Sequence, residues 1–201
     1  MVLLGARQRC GNKRKQKNLV IIVSQGKKTE PIYFSHFNKA TSGFVLRIKS
    51  QATDPISLIK YGKYLKEEEY DIGPKDKVFC VYDVDNTPEV ALNEAKKKAN
   101  EYGVSSCISN PCFELWYLLH FTYSTSCLDS YDDVKNELLQ FMSDYEKNKD
   151  VHDRLLSKQL HAITNAKNLE EHHKREGIKP IRMRNPSTQV YEVVEYINKL
   201  S

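Results

Sequence analysis

Two short runs of this chain are apolar at every position: Leu19 to Val23 (Leu-Val-Ile-Ile-Val) and Val78 to Tyr82 (Val-Phe-Cys-Val-Tyr). A strand with one wet face alternates polar and apolar residues, so unbroken β-branched and aromatic runs require cover on both faces. In a chain of 201 residues that means a parallel sheet with helices on either side. The segments around the runs agree. Pro31 suits the first position of a helix whose apolar stripe is Tyr33, Phe34, Phe37 and Ala40. Phe44 to Ile48 alternates as a second strand, and Asp54 with Pro55 caps and opens a helix to about Tyr70. Pro88 opens an Ala/Lys-rich helix to about Tyr102, and Val104 to Ile108 makes a fourth strand. This βαβαβαβ order predicts an α/β fold with a doubly wound, mainly parallel four-stranded sheet flanked by helices. The remainder reads as helical: Pro111 to Phe121, Ser130 to Tyr145, Asp150 to Arg175 and Ser187 to Leu200. The last carries Val190, Val193, Val194 and Ile197 on one face, which should dock on the sheet.

Ligands of open α/β sheets bind beyond the carboxyl ends of the strands, so the strand-to-helix junctions are where chemistry is expected. The run from Val78 ends in Asp83-Val84-Asp85. Two carboxylates two residues apart at a strand end point to one side and can share a hard cation such as Mg2+; the alternative is an Asp-rich turn leaving a strand. The first junction, Ser24-Gln25-Gly26-Lys27-Lys28-Thr29-Glu30, ends like a nucleotide-binding P-loop, but the glycine that motif needs is Ile21, inside the strand. What remains is a polar loop with Lys27, Lys28 and one acid, Glu30, able to hold a phosphate. The third junction is Asn110-Pro111-Cys112-Phe113-Glu114, where Asn110 can cap the following helix. Glu114 is the only formally charged side chain from Pro111 to Phe121. It needs a cation or several donors: a metal, a neighbouring ligand to support, or the N–H groups of the first helical turn.

Length and composition favour one sizeable core, with a basic arm at 1–17 and a single domain at 18–201. No apolar stretch approaches the ~20 residues a membrane span needs, and Met1 to Leu4 is too short for a signal-peptide core. A soluble protein that stays in the cytoplasm, away from membranes, is expected. The five cysteines, Cys10, Cys80, Cys107, Cys112 and Cys127, form no C-x-x-C pair and read as reduced, mostly buried thiols. Charge is unevenly placed. Residues 1–17 hold Arg7, Arg9, Lys13, Arg14, Lys15 and Lys17 and no acid, six cations in a chain of net charge +5. A second basic cluster, Lys174, Arg175, Lys179, Arg182 and Arg184, lies between the last two helices. Such segments supply sequence-independent affinity for nucleic acid, or are simply solvated. The six histidines are scattered and point to no site.

Taken together, the Gly26-Lys27-Lys28-Thr29-Glu30-Pro31 segment with Tyr33-Phe34, the pair Asp83 and Asp85, Ser109-Asn110-Pro111-Cys112-Phe113-Glu114-Leu115-Trp116, and Asn185-Pro186-Ser187-Thr188 resemble the RloB-like proteins, which carry a Toprim (topoisomerase-primase) domain. The resemblance runs from about Leu19 to the last helix. It implies a Rossmann-like sheet that binds Mg2+, with Mn2+ as a substitute, through Asp83, Asp85 and Glu114. It also implies phosphodiester hydrolysis in bacterial or archaeal anti-phage defence, with a partner protein of a defence complex. Glu30 and Glu114 are then candidates for a second metal contact or a proton transfer, Lys27 or Lys28 for the phosphate, and Asn110, Arg182 and Arg184 for the flanking substrate.

One departure from the family pattern stands at the first junction, where Gln25 replaces a Glu expected to bind metal or move a proton. A neutral amide does neither well. The change fits an engineered inactivation or a natural variant, and two functional classes stay open: a metal-dependent nuclease disabled at Gln25, or a Toprim-derived module that binds nucleic acid or a phosphorylated ligand without cutting. Whether the substrate is DNA or RNA is not encoded in lysines directed at phosphate.

Overall fold

The computed structural model describes residues 17–39, 42–51, 53–70 and 72–201. The expected basic arm, Lys17 apart, lies outside the described residues, as do Cys10 and Ala40. The described chain forms a five-stranded sheet of order β2-β1-β3-β4-β5. Strands β1 (Asn18–Ser24), β2 (Phe44–Ser50), β3 (Lys77–Asp83) and β4 (Ser105–Asn110) run parallel. The helices between them are α1 (Thr29–Ser35), α2 (Pro55–Tyr64), which continues as a π-helical turn over Leu65–Glu69, and α3 (Glu89–Tyr102). Asp54 caps α2 as expected, its carboxylate accepting the Ser57 N–H at 3.0 Å. Helix α3 ends at Gly103, whose φ of +61° suits glycine.

Both faces of the sheet are covered, and the pleat assigns residues to each. Val20, Ile22, Phe79 and Val81 join one core with Phe34, Trp116 and Val193. Ile21, Val23, Val78, Cys80 and Tyr82 join the other with Leu58 and Leu92 of α2 and α3. The unbroken apolar runs are thus explained by burial on alternating sides. Each fully buried side chain of this kind contributes about 1.5–3 kcal/mol from removal of apolar surface from water.

The C-terminal half departs from the helical reading in four places. Ser187–Thr188 are not a helix start but a two-residue strand, β5, antiparallel to β4, with Ser109 opposite Thr188. The Ser109 and Thr188 hydroxyls bond at 2.9 Å, and Gln189 pairs with the Ile108 backbone through both its N–H and its side-chain oxygen. The segment after Asn110 enters its helix, α4 (Glu114–Leu118), through a turn in which the Leu115 and Trp116 N–H groups reach back three residues. The stretch from Asp150 divides into α6 (His152–Leu155) and α7 (Gln159–Arg175). Helix α5 (Tyr131–Leu139) starts from a Ser130 cap but ends well short of the expected Tyr145, and α8 (Val190–Leu200) buries Val190, Val193, Val194 and Ile197. No helix among the described residues is long and apolar enough to cross a membrane. Cys80, Cys107 and Cys112 are buried thiols, and Cys127 is exposed.

Candidate functional site

The carboxyl ends of β1, β3 and β4 finish at one edge, and a cleft of about 220 Å³ opens there. It is lined by the loop and helix start from Gln25 to Glu30, by Asp83 and Asp85, by Phe113 and Glu114, and by Lys147 and Asn148. Asp83 continues the pleat series of Phe79 and Val81, which sends its side chain to the face that carries α1 and α4. Glu30 and Glu114 sit in the first turns of those two helices. Asp85 lies past the end of β3 with φ +38°, so the pleat does not direct it, and it occupies the exposed rim. Asn148 has φ +69° on the same cleft. Among residues other than glycine, Asp and Asn tolerate this left-handed region best, and conformations of this kind gather at functional sites.

Each carboxylate is held differently. Glu30 is 5% exposed, and its Oε1 accepts the Gly26 N–H at 2.9 Å. A Cβ on Gly26 would fall 2.0 Å from the other Glu30 oxygen, so glycine is the residue that leaves room for this carboxylate. Glu114, 2% exposed, has the Thr29 hydroxyl 3.5 Å from its Oε1, and that hydroxyl is also 3.4 Å from Asn148 Oδ1. Asp83 is partly exposed as a residue, yet its Oδ1 is buried and has no hydrogen-bond partner. Gln25 sits beside it: the Gln25 amide oxygen accepts the Asp83 N–H at 3.1 Å, and the amide nitrogen donates to the Thr53 carbonyl at 3.2 Å.

This grouping has an electrostatic cost. Burial, then the negative charges of Glu30, Glu114 and Asp85, push the Asp83 carboxyl well above the usual carboxylate range, and Lys147 opposes them. Glu30 is raised by burial and by Glu114. The Tyr131 phenol is pushed up to about 12 by burial and by Glu114, and the buried hydroxyls of Tyr131 and Tyr145 have no partner among the described residues. Among the described residues no three His, Cys, Asp or Glu side chains form a ready-made metal cage. The donor chemistry fits a hard cation all the same. Asp83, Asp85, Glu30 and Glu114 offer oxygen only, and a cation would satisfy the orphaned Oδ1 and relieve the mutual repulsion.

Of the residues expected from the sequence, Gln25, Lys27, Lys28, Glu30, Asp83, Asp85 and Glu114 line this one cleft, and the two lysines are exposed. Three others are placed elsewhere. Asn110 is buried and does not cap α4; its amide nitrogen reaches the carbonyls of Ile181, Arg182 and Arg184 at 3.0–3.2 Å and pins the turn before β5. Arg182 donates from Nη1 to the Asp85 and Thr87 carbonyls at 2.9 and 2.6 Å, clasping the loop that carries Asp85. Arg184 donates to the Ile178 carbonyl at 3.1 Å and lines a cavity beside Thr188 instead. Lys147 and Asn148 were not singled out in the sequence. They come from a short polar connection after α5, and nothing local distinguishes them from any solvated turn.

Fold and cleft together define a class: a mainly parallel α/β protein, covered on both faces, with buried carboxylates gathered beyond the carboxyl ends of its strands. The family model of the RloB-like proteins matches residues 20–197, and the chain belongs to the RloB-like family. The matched stretch contains every residue that lines the cleft. No curated protein and no solved structure matches the chain.

Proposed function

We propose that this protein is a metal-dependent nuclease of the Toprim type, acting on nucleic acid in anti-phage defence, with its present activity limited by Gln25. The observation that carries the reading is the buried, unpartnered Oδ1 of Asp83 amid Glu30 and Glu114. A fold that had no use for a cation would gain stability by losing one of these acids. Bound there, Mg2+ or Mn2+ would lower the pKa of water and stabilise charge on a scissile phosphate. Asp83 and Asp85 would hold the ion, with Glu114 behind them. Lys27, Lys28 and Lys147 surround the carboxylates with three cations on the cleft wall, suited to phosphate oxygens. Glu30, held by the Gly26 N–H and raised by burial, would take or give a proton.

A second reading, a module that binds nucleic acid without cutting it, is favoured by Gln25. Its amide uses both ends on backbone groups, a fit that a carboxylate cannot make. The test compares the protein with its Gln25→Glu form in Mg2+ and in Mn2+, on DNA and on structured RNA. Cleavage that appears or rises strongly in the Glu form is expected. A folded Glu form that cuts neither substrate with either metal removes the nuclease reading and leaves the binding module.

A further inference from the structure

A second cavity, about 550 Å³, lies against the acidic cleft and shares Asp85 with it. We propose that it is a subsite for the base of one unpaired nucleotide next to the phosphate held in the cleft. The inference rests on the nucleic-acid reading above and adds to it that the substrate must present an unpaired base.

Size is the first argument. The cavity is far larger than an ion or a water needs and falls within the range of small-molecule sites. Charge is the second. Its formally charged lining groups are Asp85, Asp129 and Arg182, and Arg182 already spends Nη1 on two backbone carbonyls. A phosphate would meet two carboxylates and one committed cation there. An uncharged heterocycle with N–H donors suits those walls better. Shape and polarity are the third. Pro111 and Tyr131 give apolar faces, and Met183 stands 65% exposed beside them. A base laid among these three side chains would bury their apolar surface, and aromatic rings such as that of Tyr131 serve as stacking platforms in proteins that bind single strands. Asn86, exposed on the same wall, supplies an amide that can pair with the edge of a base.

Position selects an unpaired base over a paired one. The Arg182 clasp fixes the Asp85 loop to the cavity wall, so a strand whose phosphate reaches the lysines of the cleft can turn its adjacent base into the cavity. A base inside a duplex is stacked and paired and can enter only after extrusion.

The test is fluorescence anisotropy in EDTA, which prevents cutting, with three labelled probes of equal length: a single strand, the same strand in a blunt duplex, and a fully abasic strand. The single strand should bind at least about fivefold more tightly than the other two, from stacking of one base worth ~1–3 kcal/mol. Met183→Ala, at an exposed position that leaves the core intact, should remove most of that advantage and leave duplex affinity unchanged. Equal binding of all three probes, or a Met183→Ala loss that is the same for single strand and duplex, overturns the subsite and leaves the nuclease reading standing. Failure of the native protein to bind any probe, both in EDTA and with Ca2+ in place of Mg2+, removes both.

Discussion

Gln25 and Asp83 are joined by a hydrogen bond from the Asp83 N–H to the Gln25 amide oxygen, 3.1 Å long, while the other end of the same amide holds the Thr53 carbonyl. A Glu at this position keeps the first bond and loses the second, so the exchange is not a change of charge alone. Without metal, Gln25→Glu should cost about 1 kcal/mol, the usual worth of one hydrogen bond, and add a fifth acid to the repulsive cluster of Glu30, Asp83, Asp85 and Glu114. Excess Mn2+ should raise the melting temperature of the Glu form more than that of the native protein. Calorimetric melting with and without Mn2+ checks this, and an identical metal response of the two proteins would speak against a cation held next to position 25.

Asp83→Asn should stabilise the metal-free protein at neutral and alkaline pH by roughly 1–3 kcal/mol, because it removes a charge that burial and the neighbouring acids oppose. The sign follows from the raised carboxyl. A group whose pKa is higher folded than unfolded lends stability below its unfolded value, ~3.9 for Asp, and that stability is lost as pH rises through the folded value. The advantage of Asn should therefore grow with pH, as denaturant melts at several pH values will show. The same variant should lose affinity in a Mn2+ titration. A destabilised Asp83→Asn at high pH would mean that the carboxylate is satisfied by the protein itself.

Gly26→Ala tests the seat of Glu30. The added Cβ would overlap the Glu30 carboxylate, which is buried and must swing away from the Gly26 N–H. Loss of about 1 kcal/mol in stability is expected, with a marked fall in any metal-dependent cleavage measured in the Gln25→Glu background. Unchanged cleavage would show that Glu30 takes no part in the chemistry.

His120 offers a pH test outside the lining of the acidic cleft. It is 1% exposed, its Nδ1 bonds the Trp116 carbonyl at 2.8 Å, and burial holds its pKa down to about 4 from an ordinary 6.5. Because the unfolded chain takes up the proton first, stability is complete above the unfolded value and is lost as pH falls from about 6.5 towards 4. The loss attributable to this side chain is on the order of 3 kcal/mol at about 1.4 kcal/mol per pH unit. A His120→Gln protein should show a shallower decline between those pH values in urea melts; parallel curves would refute the assignment.

Much of the fold is written locally. The runs at β1 and β3 declare a sheet covered on both faces, Asp54 and Pro55 declare the start of α2, and the spacing of Val190, Val193, Val194 and Ile197 declares the buried face of α8. These signals survive because periodicity and backbone preference act over a few residues. The convergence of Glu30, Asp83 and Glu114 was also legible, since a parallel sheet brings the carboxyl ends of its strands to one edge. Packing decided the rest. A two-residue strand such as β5 has no periodicity to read, and its pairing depends on Ser109 and Ile108 some 80 residues away. Arg182 and Arg184 look like phosphate ligands in the sequence because a guanidinium suits a phosphate; only the folded chain offers them the backbone carbonyls of Asp85, Thr87 and Ile178. Lys147 and Asn148 enter the cleft for the same reason, because the connection after α5 is laid over it by helices whose docking is set by long-range burial and not by any local signal.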